Sequence, residues 1–315
     1  MNVLITGVNG LLGNAVAKIA FRNNIHCIGL GRKTLNVQNN CEYYSADITN
    51  YSALEKIIKY CKPDTIIHCA AFTDVDLAEK KEYKNKVYEI NVSGTKNIVD
   101  LCKKHSIKLI FISSDYVFSG DTDMPWKEDT IIEGKPKNSY GETKRIAERI
   151  IWSSLKRYYI VRTSWLFGED KDNFVTNVIN KILMCKEIFV LKNQIGTPTY
   201  TYDLASCLLS MAKTEKYGVY HVTNSGKYIS KYEFALEINS YLERISDKNL
   251  RTKIVAVNSL DKKIYADRPS NCRLEMKNLA NSGFKELPHW QESLHKFIDE
   301  TVYKRVGVKY DWYNE

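Results

Sequence analysis

A short apolar run over 2–6 opens the chain and ends at Gly7, apolar residues recur at helical spacing from Leu11 to about Arg22, and a second run covers 27–30. A short apolar run bounded by turn residues marks a buried strand, and recurrence every three to four positions marks a helix with one buried face. The chain therefore begins with a predicted β-α-β unit. The alternation continues with strands predicted at 42–45, 65–69, 109–113 and 158–162, helices at 51–61, 85–105 and 139–155, and a Gly- and Pro-containing loop over 119–138. Strands that alternate with helices build a parallel sheet covered on both faces.

Beyond residue 165 the alternation loosens, with helices predicted near 173–185, 203–213, 230–245 and 289–303. The expected architecture is α/β: a doubly wound parallel sheet built mainly by 1–165, and a smaller lobe over 166–315 from which segments near 196–223 return to the sheet. No internal repeat or low-complexity tract interrupts this order.

Composition narrows the function classes. With 315 residues, 44% hydrophobic and 26% charged, the chain can bury a large core. Its net charge of +9 is scattered among acidic residues rather than gathered in a block. Nucleic acid is accordingly not an expected partner, and a phosphorylated small substrate would use the same sign of charge. The cysteines Cys27, Cys41, Cys61, Cys69, Cys102, Cys185, Cys207 and Cys272 form no Cys-x-x-Cys pair and have no His at ligand spacing, so no metal is expected. Several lie in apolar runs, the usage of a reducing compartment. The opening apolar run is too short for a signal sequence, and no segment approaches the ~20 apolar residues that span a bilayer. A cytoplasmic location without membrane attachment is the expectation.

Chemistry first shows in the turn Thr6-Gly-Val-Asn-Gly-Leu-Leu-Gly13, which joins the first strand to the first helix. Gly7 permits a tight turn, Gly10 lets backbone approach a pyrophosphate, and Gly13 lets the helix pack closely; Asn9, Leu11 and Leu12 complete the turn. The helix N-terminus offers amide donors and a favourable dipole to phosphate. This strand–turn–helix context is the one a Rossmann dinucleotide site requires. An NAD-selective site usually carries an acidic residue after the second strand, but Gly31 is followed by Arg32 and Lys33. Both suit the 2′-phosphate of NADPH, with NADH as the alternative cofactor.

In Asn138-Ser-Tyr-Gly-Glu-Thr-Lys144, Tyr140 and Lys144 stand four residues apart on one helix face. An ammonium beside the phenol is expected to lower its pKa from about 10 toward neutrality, so that Tyr140 can hand a proton to a carbonyl oxygen as hydride arrives. The preceding strand ends at Ser113, Ser114 and Asp115, at the sheet edge where ligands bind in this architecture. Ser114 is placed to hydrogen-bond the same carbonyl.

These motifs resemble the extended short-chain dehydrogenase/reductases, and within them the dTDP-4-dehydrorhamnose reductase family. The likeness runs from Met1 to about Asp299 and is also carried by Cys69-Ala-Ala-Phe-Thr-Asp-Val-Asp-Leu-Ala-Glu79, Arg162-Thr-Ser-Trp-Leu-Phe-Gly168, Asn193-Gln-Ile-Gly-Thr-Pro-Thr199 and Arg268-Pro-Ser-Asn-Cys-Arg-Leu274. The resemblance implies a catalytic triad of Ser114, Tyr140 and Lys144, with Lys144 also holding the nicotinamide ribose. It implies that Asp47 and Ile48 border the adenine, and that Ala70, Ala71 and Phe72 follow the cofactor across the sheet. It places Val75, Asp115 and Trp165 against the sugar of a nucleotide-linked 4-keto-6-deoxyhexose, whose ketone would be reduced. Two departures stand out: Ser114 occupies a position where Thr is common, and Phe72 one where His is frequent. Expected partners are a nucleotide-sugar substrate and, at most, a second copy of the chain in a homodimer. Two other readings stay open: a reductase or epimerase for another nucleotide sugar, and a non-catalytic regulatory subunit resembling the partner of methionine adenosyltransferase.

Overall fold

The computed structural model describes residues 1–32, 41–130, 134–245, 250, 252–259 and 266–306, with side chains through Thr301. The first half runs β1 (Asn2–Thr6), α1 (Leu11–Arg22), β2 (His26–Gly31), β3 (Glu42–Ser45), α2 (Tyr51–Cys61), β4 (Thr65–His68), α3 (Val75–Glu79), α4 (Lys84–Tyr88), α5 (Thr95–His105), β5 (Lys108–Ser114), α6 (Ser139–Ser154) and β6 (Tyr158–Thr163). Then come β7 (Leu166–Phe167), α7 (Phe174–Met184), β8 (Glu187–Leu191), β9 (Ile195–Gly196), β10 (Thr199–Tyr200), α8 (Thr201–Ala212), β11 (Gly218–His221), β12 (Asn224–Ser225), β13 (Ile229–Ser230) and α9 (Lys231–Ile245). The last elements are β14 (Lys253–Val257), β15 (Asn271–Cys272), α10 (Lys277–Asn281), β16 (Leu287–His289) and α11 (Trp290–Val306).

Seven strands form one parallel sheet in the order β11-β6-β5-β4-β1-β2-β3. Side chains alternate across it as strand geometry demands. Val3 and Ile5 of β1 enter the core under α1 and α8, whereas Leu4 enters the core under α2, α5 and α6. Both faces are thus covered, which is why β5 is buried along its whole length. The order in which the chain adds strands changes sense between β1 and β4, and ligands bind in such folds at the carboxyl ends of those strands.

The segment expected as one helix over 85–105 contains a widened turn at Glu89–Gly94, between α4 and α5. That turn turns Asn91 inward. Its Oδ1 accepts from the Phe72 backbone N at 2.7 Å, while Nδ2 donates to the Phe72 carbonyl at 3.2 Å and to Thr143 Oγ1 at 3.0 Å. The stretch after β4 is thereby pinned to α6.

A second buried network lies beneath the carboxyl ends of β5 and β6, where Ser113 pairs with Arg162 in register. Glu148 on α6 accepts from Arg162 Nε at 3.0 Å and Nη2 at 2.8 Å, and from Ser113 Oγ at 2.5 Å. Arg162 Nη1 also donates to His221 Nε2 of β11 at 3.4 Å, and burial holds that imidazole neutral, well below its ordinary pKa. Among the described residues no helix is long and apolar enough to cross a membrane.

The later elements build short sheets against this body. β8 pairs with β14, and β9 sits between β13 and β15. Residues 266–272 run back over the amino-terminal half. Arg268 grips Asp76 of α3 with both terminal nitrogens, at 2.7 and 3.1 Å. Asn138 Nδ2 donates to the Asp267 carbonyl at 2.8 Å, and Ser270 Oγ to the Gly120 carbonyl at 3.1 Å.

Candidate active site

A cleft of about 1420 Å³ follows the carboxyl edge of the sheet. Its first stretch is the glycine turn. Gly7 has φ +66°, and a Cβ there would lie 2.7 Å from Ala70 Cα; a Cβ on Gly13 would lie 2.2 Å from the Gly7 carbonyl. Neither position has room for a side chain, so α1 starts tight against β1 and β4. Gly10 caps α1 in an extended conformation with no side chain on the first-turn amides, and no acidic residue lies in that turn. Those amides are left for an anion in the cleft. The cradle fits a dinucleotide pyrophosphate.

Asn9, Leu11, Leu12, Arg32, Asp47 and Ile48 line the same stretch, and Ala70 and Ala71 line the passage across β4. Phe72 does not. Ala71 and Thr73 on either side of it line the cleft, while the Phe72 ring packs 5.9 Å from that of Tyr83. Phe72 is thus the one described member of the expected cofactor set that the cleft lining leaves out. Lys33 lies outside the described residues.

Ser114, Tyr140 and Lys144 meet in the cleft. Ser114 ends β5 with Oγ donating to Asp115 Oδ1 at 2.8 Å. Tyr140 stands in the first turn of α6, whose N-cap Asn138 accepts from the Gly141 amide at 2.9 Å. A Cβ on Gly141 would fall 2.1 Å from the Tyr116 carbonyl, so this glycine is what lets α6 start against the turn after Ser114. The Lys144 amine lies 4.0 Å over the Phe111 ring.

The electrostatics differ from the sequence-based expectation. Burial pushes the Tyr140 phenol above its usual range, and the Asp115 carboxylate adds to this, against a smaller opposing effect of the Ser114 hydroxyl. Burial also drives Lys144 down to about 7, with Glu148 and Cys69 opposing. An amine that is itself half neutral, seated on an aromatic face, does not pull the phenol down. At neutral pH Tyr140 is therefore protonated, the form a proton donor needs. Asp115 is raised to about 6 by burial, and its Oδ2 has no hydrogen-bond partner among the described residues.

Val75, Asp115 and Trp165 line the cleft beyond the triad. Trp165 has φ +49°, a left-handed backbone that a bulky residue adopts only when its surroundings enforce it. The Thr199 amide donates to its carbonyl at 3.2 Å, and Ser164 Oγ to the Thr197 carbonyl at 2.8 Å. Gly196 leaves the space that the indole fills, since a Cβ there would sit 3.1 Å from the ring. Gln194, Lys231 and Arg268 also line this stretch. They were not singled out from the sequence: Arg268 lies in a motif quoted for the resemblance, and Lys231 carries no local signal at all.

A doubly wound sheet, a glycine cradle at its switch point and a Ser-Tyr-Lys set at the end of β5 define an extended short-chain dehydrogenase/reductase. The model of the RmlD substrate binding domain matches residues 1–303. The chain belongs to that family, the family of the dTDP-4-dehydrorhamnose reductases. The dTDP-4-dehydrorhamnose reductase of Aggregatibacter actinomycetemcomitans is 33% identical over 300 residues, covering 93% of this chain and 96% of its own. The spore coat polysaccharide biosynthesis protein SpsK of Bacillus subtilis (strain 168) is 31% identical, covering 95% and 97%. Among solved structures, dTDP-4-dehydrorhamnose reductase from Bacillus anthracis str. Ames, in complex with NADP, superposes with a TM-score of 0.83 at 34% identity, covering 95% of this chain and 99% of that one.

Proposed function

We propose that this protein reduces the 4-keto group of a nucleotide-linked 6-deoxysugar with NADPH, converting dTDP-4-dehydro-L-rhamnose to dTDP-L-rhamnose. The observation that carries the reading is the convergence of Ser114, Tyr140 and Lys144 in one cleft with the glycine cradle. The bound dinucleotide supplies the hydride. Ser114 and Tyr140 hold the ketone oxygen, and Tyr140, kept protonated by burial, delivers the proton to it. Lys144 holds the nicotinamide ribose. Val75, Asp115 and Trp165 face the sugar, residues 1–165 serve mainly the cofactor, and 166–315 serve mainly the substrate. Purified protein incubated with NADPH and a panel of dTDP-, UDP-, GDP- and CDP-linked 4-ketosugars is expected to oxidise NADPH fastest with the dTDP compound. No turnover with any member would overturn the catalytic reading.

Arg32 follows β2 at the cleft, and no acidic residue stands at the end of β2 in the sequence to meet a ribose hydroxyl, which favours NADPH. Arg32→Ala is expected to weaken NADPH about tenfold or more, the scale of one charged hydrogen bond, and to leave NADH nearly unchanged. Titration with both cofactors checks this; equal losses would remove Arg32 from the 2′-phosphate site.

A further inference from the structure

Lys231 is the first residue of α9, and the helix start is already capped without it. Glu233 accepts from the Ser230 amide at 2.6 Å and from Ser230 Oγ at 2.7 Å, while Ser230 Oγ accepts from the Glu233 amide at 3.1 Å. A cation in the first turn of a helix opposes the helix dipole. Its amine lies 3.7 Å over the Trp165 ring and 4.4 Å over the Phe174 ring, with no hydrogen bond or ion pair to any described residue. The residue lines the cleft. A lysine placed there is poorly provided for by the protein alone.

The two rings locate the amine along the cleft. Trp165 follows β6 on the side of the triad. Phe174 opens α7, whose Asn177 and Val178, with Phe189 and Val190 of β8, line the stretch beyond. Lys171, Asp172 and Lys181 line it too, so the stretch pairs apolar surface for a nucleobase with polar groups at its side. The amine stands between the wall for the sugar and the wall for the base.

We propose that Lys231 receives the diphosphate of the nucleotide sugar, reaching it from between Trp165 and Phe174. This rests on the substrate class proposed above. The diphosphate is the charged part of such a ligand and joins its sugar to its base, and its oxygens give the ammonium the partners the protein withholds. The titratable groups in electrostatic reach are Cys272 and Asp115, whose charged forms favour the ammonium, and Arg268, which opposes it; burial keeps Cys272 a neutral thiol, and Glu233 on the same helix is spent on Ser230. Burial outweighs them and sets the amine at about 7, so binding an anion draws in a proton and should weaken as pH rises above that value. Without this role, Lys231 would serve only to cover two rings with its aliphatic stem.

Calorimetric titration separates the two roles. The probes are dTDP-glucose, whose diphosphate diester keeps its charge between about pH 6 and 9 and which has no ketone to reduce, together with thymidine and NADPH. Lys231→Met keeps the stem. It is expected to weaken dTDP-glucose about tenfold or more while leaving thymidine and NADPH unchanged, and to flatten the wild-type loss of affinity with rising pH. Lys231→Arg should retain most of the affinity. Unchanged dTDP-glucose binding in Lys231→Met, or an equal loss for thymidine, overturns the assignment. If wild type binds no dTDP-glucose, the substrate class fails separately; inorganic pyrophosphate then decides, since binding lost in Lys231→Met supports the anion site and absence of binding overturns it.

Discussion

Tyr140→Phe is expected to lower kcat by about 10²–10⁴-fold, the usual contribution of a positioned acid, while NADPH affinity and melting temperature stay near those of wild type. The substitution removes one oxygen and keeps the ring, including its edge contact with Tyr116 at 6.0 Å. It leaves Lys144 on Phe111, and so leaves the proposed ribose contact in place. Stopped-flow reduction with parallel cofactor titration measures both quantities. Full turnover in the variant would mean that another group supplies the proton, and the proposed triad would fail.

The largest expected loss of stability lies away from that chemistry, at Glu148. Its carboxylate and the Arg162 guanidinium are both buried, at 6% and 5% exposure, so Glu148→Ala strands a cation in the core. Breaking a buried pair from one side costs about 3–5 kcal/mol, enough to lower Tm by roughly 10 °C in a chain of this size. The loss comes mostly from the orphaned charge, so Glu148→Leu combined with Arg162→Met should recover much of it. Calorimetry on the single and double variants checks the pair, and a single-variant loss below about 1 kcal/mol would show that water or His221 takes over the arginine.

What could be read beforehand followed from local pattern. The strand over 2–6 and the helices over 11–22 and 51–61 have the boundaries the apolar spacing predicts, because each is an unbroken period between turn residues. The glycine turn was legible for the same reason: three glycines at three-residue steps between a strand and a helix leave few alternatives. Two-residue strands such as β9, β13 and β15 were not legible, since their pairing depends on segments far apart in the chain. Nor was the widened turn at Glu89–Gly94, whose reason is Asn91 reaching Phe72 and Thr143.

At the candidate site, the spacing of Tyr140 and Lys144 put them on one face, but spacing carries no information on burial. Burial decides the protonation of both groups, and it reverses the direction expected for the phenol. The placement of Phe72 against Tyr83 was not legible either, because the stretch after β4 has no regular structure to phase its side chains. Arg268 reaches Asp76 across 192 residues of chain, a separation no window on the sequence can see.

The clasp of residues 266–272 onto α3 and the start of α6 also sets an order of events during synthesis. The glycine cradle, Ser114, Tyr140 and Lys144 all leave the ribosome before Arg268, so a nascent chain holds the parts proposed for the cofactor well before it can shut the far wall of the cleft. The contact that joins α3 to the carboxyl-terminal part of the cleft wall is therefore among the last that the growing chain can make.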